Sequence, residues 1–136
     1  MINISKLYCG LAGVSDELRY PQRRTIKPIV VFNCTPKCNL RCVHCYSSSE
    51  AACAEPELTT AQAKQMIDQI AAFGCPVLLF SGGEPLLRED LFELMAYAKG
   101  LGLRTVLSTN GTRITASVAQ RLAELNLSYA GISLDG

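Results

Sequence analysis

Three cysteines, Cys38, Cys42 and Cys45, stand at spacings of x3 and x2 in the stretch Cys38-Asn39-Leu40-Arg41-Cys42-Val43-His44-Cys45. Ligands this close in sequence let one short loop wrap a single metal centre, and thiolates are the ligands that iron-sulfur clusters use. A cubane cluster has four irons, so three protein thiolates leave one iron open to an outside ligand. That vacancy separates catalysis from electron storage. Cys34 supplies a further thiol nearby, and four thiolates would equally make a closed zinc site or an electron-transfer cluster. The bland reading of Cys34, and of Cys9, Cys53 and Cys75, is a buried, idle thiol. His44 is the only histidine and reads either as a ligand or as a packed ring.

Other polar groups stand apart from this loop in sequence. Gly82 and Gly83 remove side chains where a backbone must approach a ligand closely, and Glu84 adds a carboxylate that can accept hydrogen bonds from an ammonium. The same Gly-Gly-Glu-Pro also serves as a plain strand-to-helix turn, with Pro85 at the first helical position. Ser108-Thr109-Asn110-Gly111 and Ser133-Leu134-Asp135-Gly136 are further polar turns; Asn110-Gly111 is a common turn pair and Ser133 a possible helix cap.

The elements that position these groups follow from periodicity. The β-branched run over residues 29–32 predicts a buried first strand, and the cysteine loop follows it at once. From Thr59 the pattern is helical, with Ala63, Met66, Ile67 and Ile70 on one face, a Thr59/Gln62 capping box and Gly74 at the C-terminal cap. Residues 77–80 predict a second buried strand. Leu87, Leu91, Leu94, Met95 and Ala98 mark a second helix, ended by Gly100 and Gly102. A third strand over 104–108, a helix capped by Thr115 with Val118, Leu122 and Leu125 inward, and a fourth strand over 127–133 complete the pattern.

Alternation of this kind indicates an α/β fold of βαβ units, with about four parallel strands and right-handed crossovers. Residues 1–28 read as a basic lead-in and residues 29–136 as one incomplete domain. An apolar last strand without a covering helix suggests a fragment, part of a barrel cut off at its C-terminal side. Each polar motif follows a strand, so all lie at the strands' C-terminal edge, where α/β folds bind ligands. One composite site is the economical explanation.

Lys and Arg number 13 against 12 for Asp and Glu, a formal net charge of +1. Nothing in that balance calls for nucleic acid. The apolar runs are too short to cross a bilayer and no signal-peptide pattern opens the chain, so a cytoplasmic protein without a membrane partner is expected. Seven cysteines would suit a secreted disulfide scaffold, but their crowding favours metal chemistry in a reducing compartment. The basic residues Arg19, Arg23, Arg24 and Lys27 read as a solvated linker, or as a site for substrate carboxylates.

Cys-x3-Cys-x2-Cys after a first strand, with Gly-Gly-Glu-Pro after a second, closely resembles the radical-SAM superfamily from strand one to the end of the chain. The resemblance implies a 4Fe-4S cluster held by Cys38, Cys42 and Cys45. Its open iron would chelate S-adenosylmethionine, whose reductive cleavage gives a 5′-deoxyadenosyl radical. It implies that His44 lies beside the adenine and that Glu84, with Gly82 and Gly83, meets the methionyl ammonium. Ser108, Thr109 and Asn110 would lie near the methionyl carboxylate, and Ser133 and Asp135 near the ribose. A reducing partner such as flavodoxin or ferredoxin is implied as well.

Residues 4–10 and 16–20, with Asn33-Cys34-Thr35 and Cys45-Tyr46-Ser47, resemble a narrower group, the radical-SAM enzymes of haem and haem d1 synthesis. That group includes a 12,18-didecarboxysirohaem deacetylase. A tetrapyrrole substrate, losing acetate side chains to give an iron coproporphyrin, is what this second resemblance implies. The alternatives are a peptide-modifying maturase of the same superfamily and a non-enzymatic iron-sulfur or zinc module.

Overall fold

The computed structural model describes residues 27–49 and 56–134. The expectations placed on residues 4–20, Cys9, Cys53 and Asp135 lie outside the described residues. Four parallel strands, β1 (Val30–Asn33), β2 (Val77–Ser81), β3 (Arg104–Thr109) and β4 (Tyr129–Ile132), form one sheet in the order β1-β2-β3-β4. Between them run α1 (Thr60–Phe73), α2 (Leu91–Gly100) and α3 (Ala116–Glu124). A doubly wound sheet reverses its strand order at a switch point. Here every step goes the same way, which is the winding of a (β/α) barrel wall.

The core lies on one face of the sheet. Leu78 and Phe80 of β2 and Leu107 of β3 meet Ala63 and Ile67 of α1 and Leu91, Leu94, Met95 and Ala98 of α2, all buried. Strand side chains alternate between faces, so their neighbours in sequence turn the other way. Phe32 is 7% exposed whereas Val31 is 52% exposed. The first strand, expected to be buried throughout, is therefore buried on its helix-covered face only.

Local chemistry sets the helix ends. Thr59 accepts from the Gln62 N–H at 3.3 Å while Gln62 Oε1 accepts from the Thr59 N–H at 2.9 Å, closing the expected capping box. Gly74 ends α1 in the left-handed region at φ 82°. Thr115 caps α3 through the Val118 N–H. The second helix differs from expectation, because Pro85–Leu87 forms a separate 3-10 turn and α2 starts only at Leu91. Arg88 lies between them with extended backbone (φ −79°, ψ 121°), which breaks the helical run. No helix among the described residues is long and apolar enough to cross a membrane.

Candidate functional site at the C-terminal sheet edge

Parallel pairing carries the ends of the strands to one edge. Register places Asn33 of β1 beside Ser81 of β2, and Ser108 of β3 beside Gly131 of β4. Phe80 pairs with Leu107, so Ser81 and Ser108, one residue further on, continue the same row. This row lies on the face opposite the core, at the level where the polar loops begin.

The first two loops are joined through their backbones. The Cys34 N–H donates to the Ser81 carbonyl, the Gly83 N–H to Thr35 and the Glu84 N–H to Lys37, each at 2.8 Å. Residues 34–37 thus prolong the pairing of β1 and lay the start of the cysteine loop on the glycine turn. A Cβ at Gly82 would overlap the Thr35 carbonyl oxygen, and one at Gly83 the Lys37 carbonyl oxygen. Gly82 also has φ 137°, a backbone state that favours glycine. The protein's own chain thus approaches closely at both Cβ positions.

Glu84 ties these loops to the third. Its side chain is fully buried, and Oε1 accepts from the Leu86 N–H at 3.0 Å and from Thr109 Oγ1 at 2.7 Å. Oε2 accepts from the Asn110 N–H at 2.8 Å. The carboxylate expected to meet an ammonium also braces the second and third loops, accepting from both. Thr109 is engaged in the same way: its hydroxyl also accepts from the Gly111 N–H at 3.1 Å.

Asn110 closes the ring of loops. Its amide Nδ2 donates to Asn39 Oδ1 at 3.1 Å and lies 3.9 Å from Cys38 Sγ, while Asn39 Nδ2 donates to Thr112 Oγ1 at 2.8 Å. The Ser133 N–H donates to the Thr109 carbonyl at 2.9 Å and so attaches the fourth loop. These ties surround an open cavity. Its lining includes Cys38, Cys42, His44 and Cys45 from the first loop and Gly82 and Gly83 from the second. Ser108, Thr109, Asn110 and Ser133 also reach it, as do Ser81, Tyr46 and Ser47. Ser81 reaches it because it shares a row with Ser108.

The thiols differ sharply in their surroundings. Cys38 Sγ lies 3.4 Å from the Leu40 N–H donor, and Cys45 Sγ lies 3.4 Å from Ser47 Oγ. The Ser47 hydroxyl, together with nearby main-chain N–H groups, holds the Cys45 thiol down at about 7. Cys34 faces away from this cavity and lines a different one, behind the loop. Burial pushes its thiol up to about 12, offset only in part by the Arg88 guanidinium.

A labelling experiment on metal-free protein checks this contrast. At pH 7 about half of Cys45 is thiolate, falling roughly tenfold per unit below that, whereas Cys34 ionises on the order of one part in a hundred thousand. Iodoacetamide should therefore modify Cys45 early, faster at pH 8 than at pH 6, and leave Cys34 unmodified until the fold opens. Equal labelling rates, read by peptide mass spectrometry, would contradict the geometry.

Comparison with known proteins decides the family. The Radical SAM superfamily model matches residues 32–136. The chain belongs to the radical SAM superfamily. Over its whole length it is 51% identical to the Fe-coproporphyrin III synthase of Methanosarcina barkeri, of which it spans 37%. It is 43% identical over 79% of its length to the mycofactocin maturase MftC of Mycobacterium tuberculosis, spanning 27% of that protein. The chain therefore covers about a third of the length of these relatives. Among solved structures, BtrN in complex with AdoMet and 2-DOIA superposes with a TM-score of 0.71 at 21% identity, over 84% of this chain and 48% of that one. That likeness confirms the fold, four parallel strands with helices, as a fragment of a longer barrel.

The donor set of this radical SAM chain suits an iron-sulfur cluster. Three thiols reach one cavity, two of them within hydrogen-bond reach of neighbouring loop groups. Among the described residues no group of three or more His, Cys, Asp or Glu side chains is placed to hold one metal ion. Cys34 lines a different cavity.

Proposed function

We propose that this chain is the cluster-binding and S-adenosylmethionine-binding part of a radical SAM enzyme that modifies a tetrapyrrole. The observation that carries the reading is the convergence of Cys38, Cys42 and Cys45 with the glycine turn on one cavity, at the ligand-binding edge of a barrel wall. When bound, the 4Fe-4S cluster and S-adenosylmethionine supply a 5′-deoxyadenosyl radical that takes hydrogen from the substrate. Cys38, Cys42 and Cys45 hold the cluster. His44, exposed on the same cavity, is assigned to the adenine. Ser108 and Asn110 are assigned to the methionyl carboxylate, and Ser133 with Asp135 to the ribose.

The buried Glu84 carboxylate and Thr109 hydroxyl hold this wall together from behind. The methionyl ammonium is assigned to Glu84 with the turn at Gly82 and Gly83. Pre-formed hydrogen bonds among the loops mean that little ordering is left to be done when the ligand arrives.

For the substrate, the match to the Fe-coproporphyrin III synthase extends over the whole chain, whereas the match to the peptide maturase leaves 21% of it uncovered. That difference favours a tetrapyrrole losing acetate side chains to give an iron coproporphyrin. Such an enzyme works in the cytoplasm with flavodoxin or ferredoxin as electron donor. All five described cysteines are free thiols, as a reducing compartment would keep them.

The deciding experiment supplies the full-length protein, reconstituted without oxygen, with didecarboxysirohaem and a reductant. Release of 5′-deoxyadenosine together with loss of acetate carbons from the tetrapyrrole is the expected result. No release there, with turnover on a peptide, would transfer the chain to the maturases. A cluster whose paramagnetic signal ignores added S-adenosylmethionine would leave an electron-transfer module.

A further inference from the structure

Arg88 does not belong to the cysteine pattern or the glycine turn, yet its side chain is only 3% exposed. Burying a guanidinium is costly unless its donors are all met. Nη1 donates to the Cys34 carbonyl at 2.6 Å and Nη2 to the Leu58 carbonyl at 2.8 Å. Nε and Nη2 hold the two Asp90 carboxylate oxygens at 2.6 and 3.0 Å. Glu57 Oε2 lies 3.9 Å from Nη1, and the Phe32 ring centroid lies 5.9 Å from the guanidinium carbon.

The two carbonyls identify what this cation does. Cys34 and Leu58 are where the chain enters and leaves the segment that carries Cys38, Cys42 and Cys45. Glu57 draws the same two ends together a second time, accepting from Thr35 Oγ1 at 2.7 Å and lying 3.4 Å from Lys37 Nζ. Closing a loop this long costs chain entropy. The cost is met at the neck by Arg88 and Glu57, at a point separate from the thiols.

We propose that Arg88 and Glu57 are a positioning pair that holds the neck of the cysteine loop shut, so that the three thiols are gathered before any iron arrives. The planar fork of arginine reaches two carbonyls and a carboxylate together, which a lysine ammonium on a flexible stem cannot do. Loss of the fork takes its donors from the two carbonyls and leaves Asp90 with Thr60, while the strands and helices keep their own hydrogen bonds. The loop then opens locally, below the free energy of global unfolding.

The test compares wild type with Arg88→Met, Arg88→Lys and Glu57→Gln in the full-length protein. In the cluster-free form, tryptic cleavage after the exposed Arg41 reports loop opening, and cleavage after Lys99 of α2 reports general unfolding. Arg41 cleavage should rise about tenfold in Arg88→Met and about threefold in Glu57→Gln, with Arg88→Lys between them and Lys99 cleavage unchanged. Where Arg88→Met fails to fold, the other two variants decide. Cleavage at Arg41 that rises only in step with Lys99 would show a general stabiliser and overturn the proposal.

A second arm rests on the cluster reading given under Proposed function. Once reconstituted, the variants should lose iron to a chelator several-fold faster than wild type, in the same order as their Arg41 cleavage. Equal rates of iron loss would contradict the positioning role. A wild-type protein that takes up no iron would overturn the cluster reading alone, because the cleavage comparison is made on cluster-free protein.

Discussion

Replacing any one of Cys38, Cys42 and Cys45 by Ala is expected to abolish the cluster, reducing iron in the anaerobically reconstituted protein from about four per chain to below about one. Each of these thiols faces the same cavity, and two thiolates hold a cubane far less securely than three. The paramagnetic signal of the reduced protein and its response to S-adenosylmethionine should vanish together. Cys34→Ala is the matched control. That thiol is buried behind the loop with its ionisation pushed up to about 12, so its loss should cost stability and spare the cluster. Iron retained by all three loop variants would show that the ligands are misassigned. Iron lost on replacing Cys34 would bring back the closed four-thiolate reading.

The contrast between Cys34 and its neighbours shows what the sequence could and could not say. Spacing marked the triplet because its residues lie within one loop. Nothing in the spacing said whether Cys34, four residues earlier, turned toward the triplet or away. The pairing of residues 34–37 onto the glycine turn settles that, and it joins parts of the chain more than forty residues apart in sequence. The Thr59 cap, Gly74 and the Thr115 cap were legible for the opposite reason: each hydrogen bond spans three or four residues. The convergence of the four polar loops was also legible, because parallel strands put their C-terminal ends at one edge.

Glu84 shows what residue type leaves unsaid. A carboxylate after two glycines suits an ammonium, and the sequence holds no sign that Thr109 and the Asn110 N–H would claim both its oxygens. Arg88 was invisible for a related reason. It sits among the apolar positions of an apparent helix, where a charged residue reads as solvent-facing, and only the break of that helix before Leu91 lets it turn inward. Both residues are buried polar groups whose partners come from other loops, a class that periodicity does not reach.

Gly83 provides the sharpest single test of this packed junction. An added methyl group at Gly83 would overlap the Lys37 carbonyl oxygen, lie 2.6 Å from the carbonyl carbon, and come within 3.0 Å of the Pro36 carbonyl oxygen. All three neighbours are backbone, so no side chain can swing aside. Relief requires the 34–37 segment to lift, which would also break the Glu84 N–H hydrogen bond to Lys37. Gly83→Ala should therefore cost about 3 kcal/mol of stability and loosen Cys38, which follows Lys37 directly. Gly100→Ala provides the internal comparison. Its new methyl group would meet nothing within 4 Å, and the residue is helical, so it should gain about 0.4–1 kcal/mol. Denaturant titration of the two variants should thus move in opposite directions from wild type, with iron uptake impaired only in Gly83→Ala. If both variants moved together, the glycine turn would not be the tight seat of the cysteine loop that its hydrogen bonds indicate.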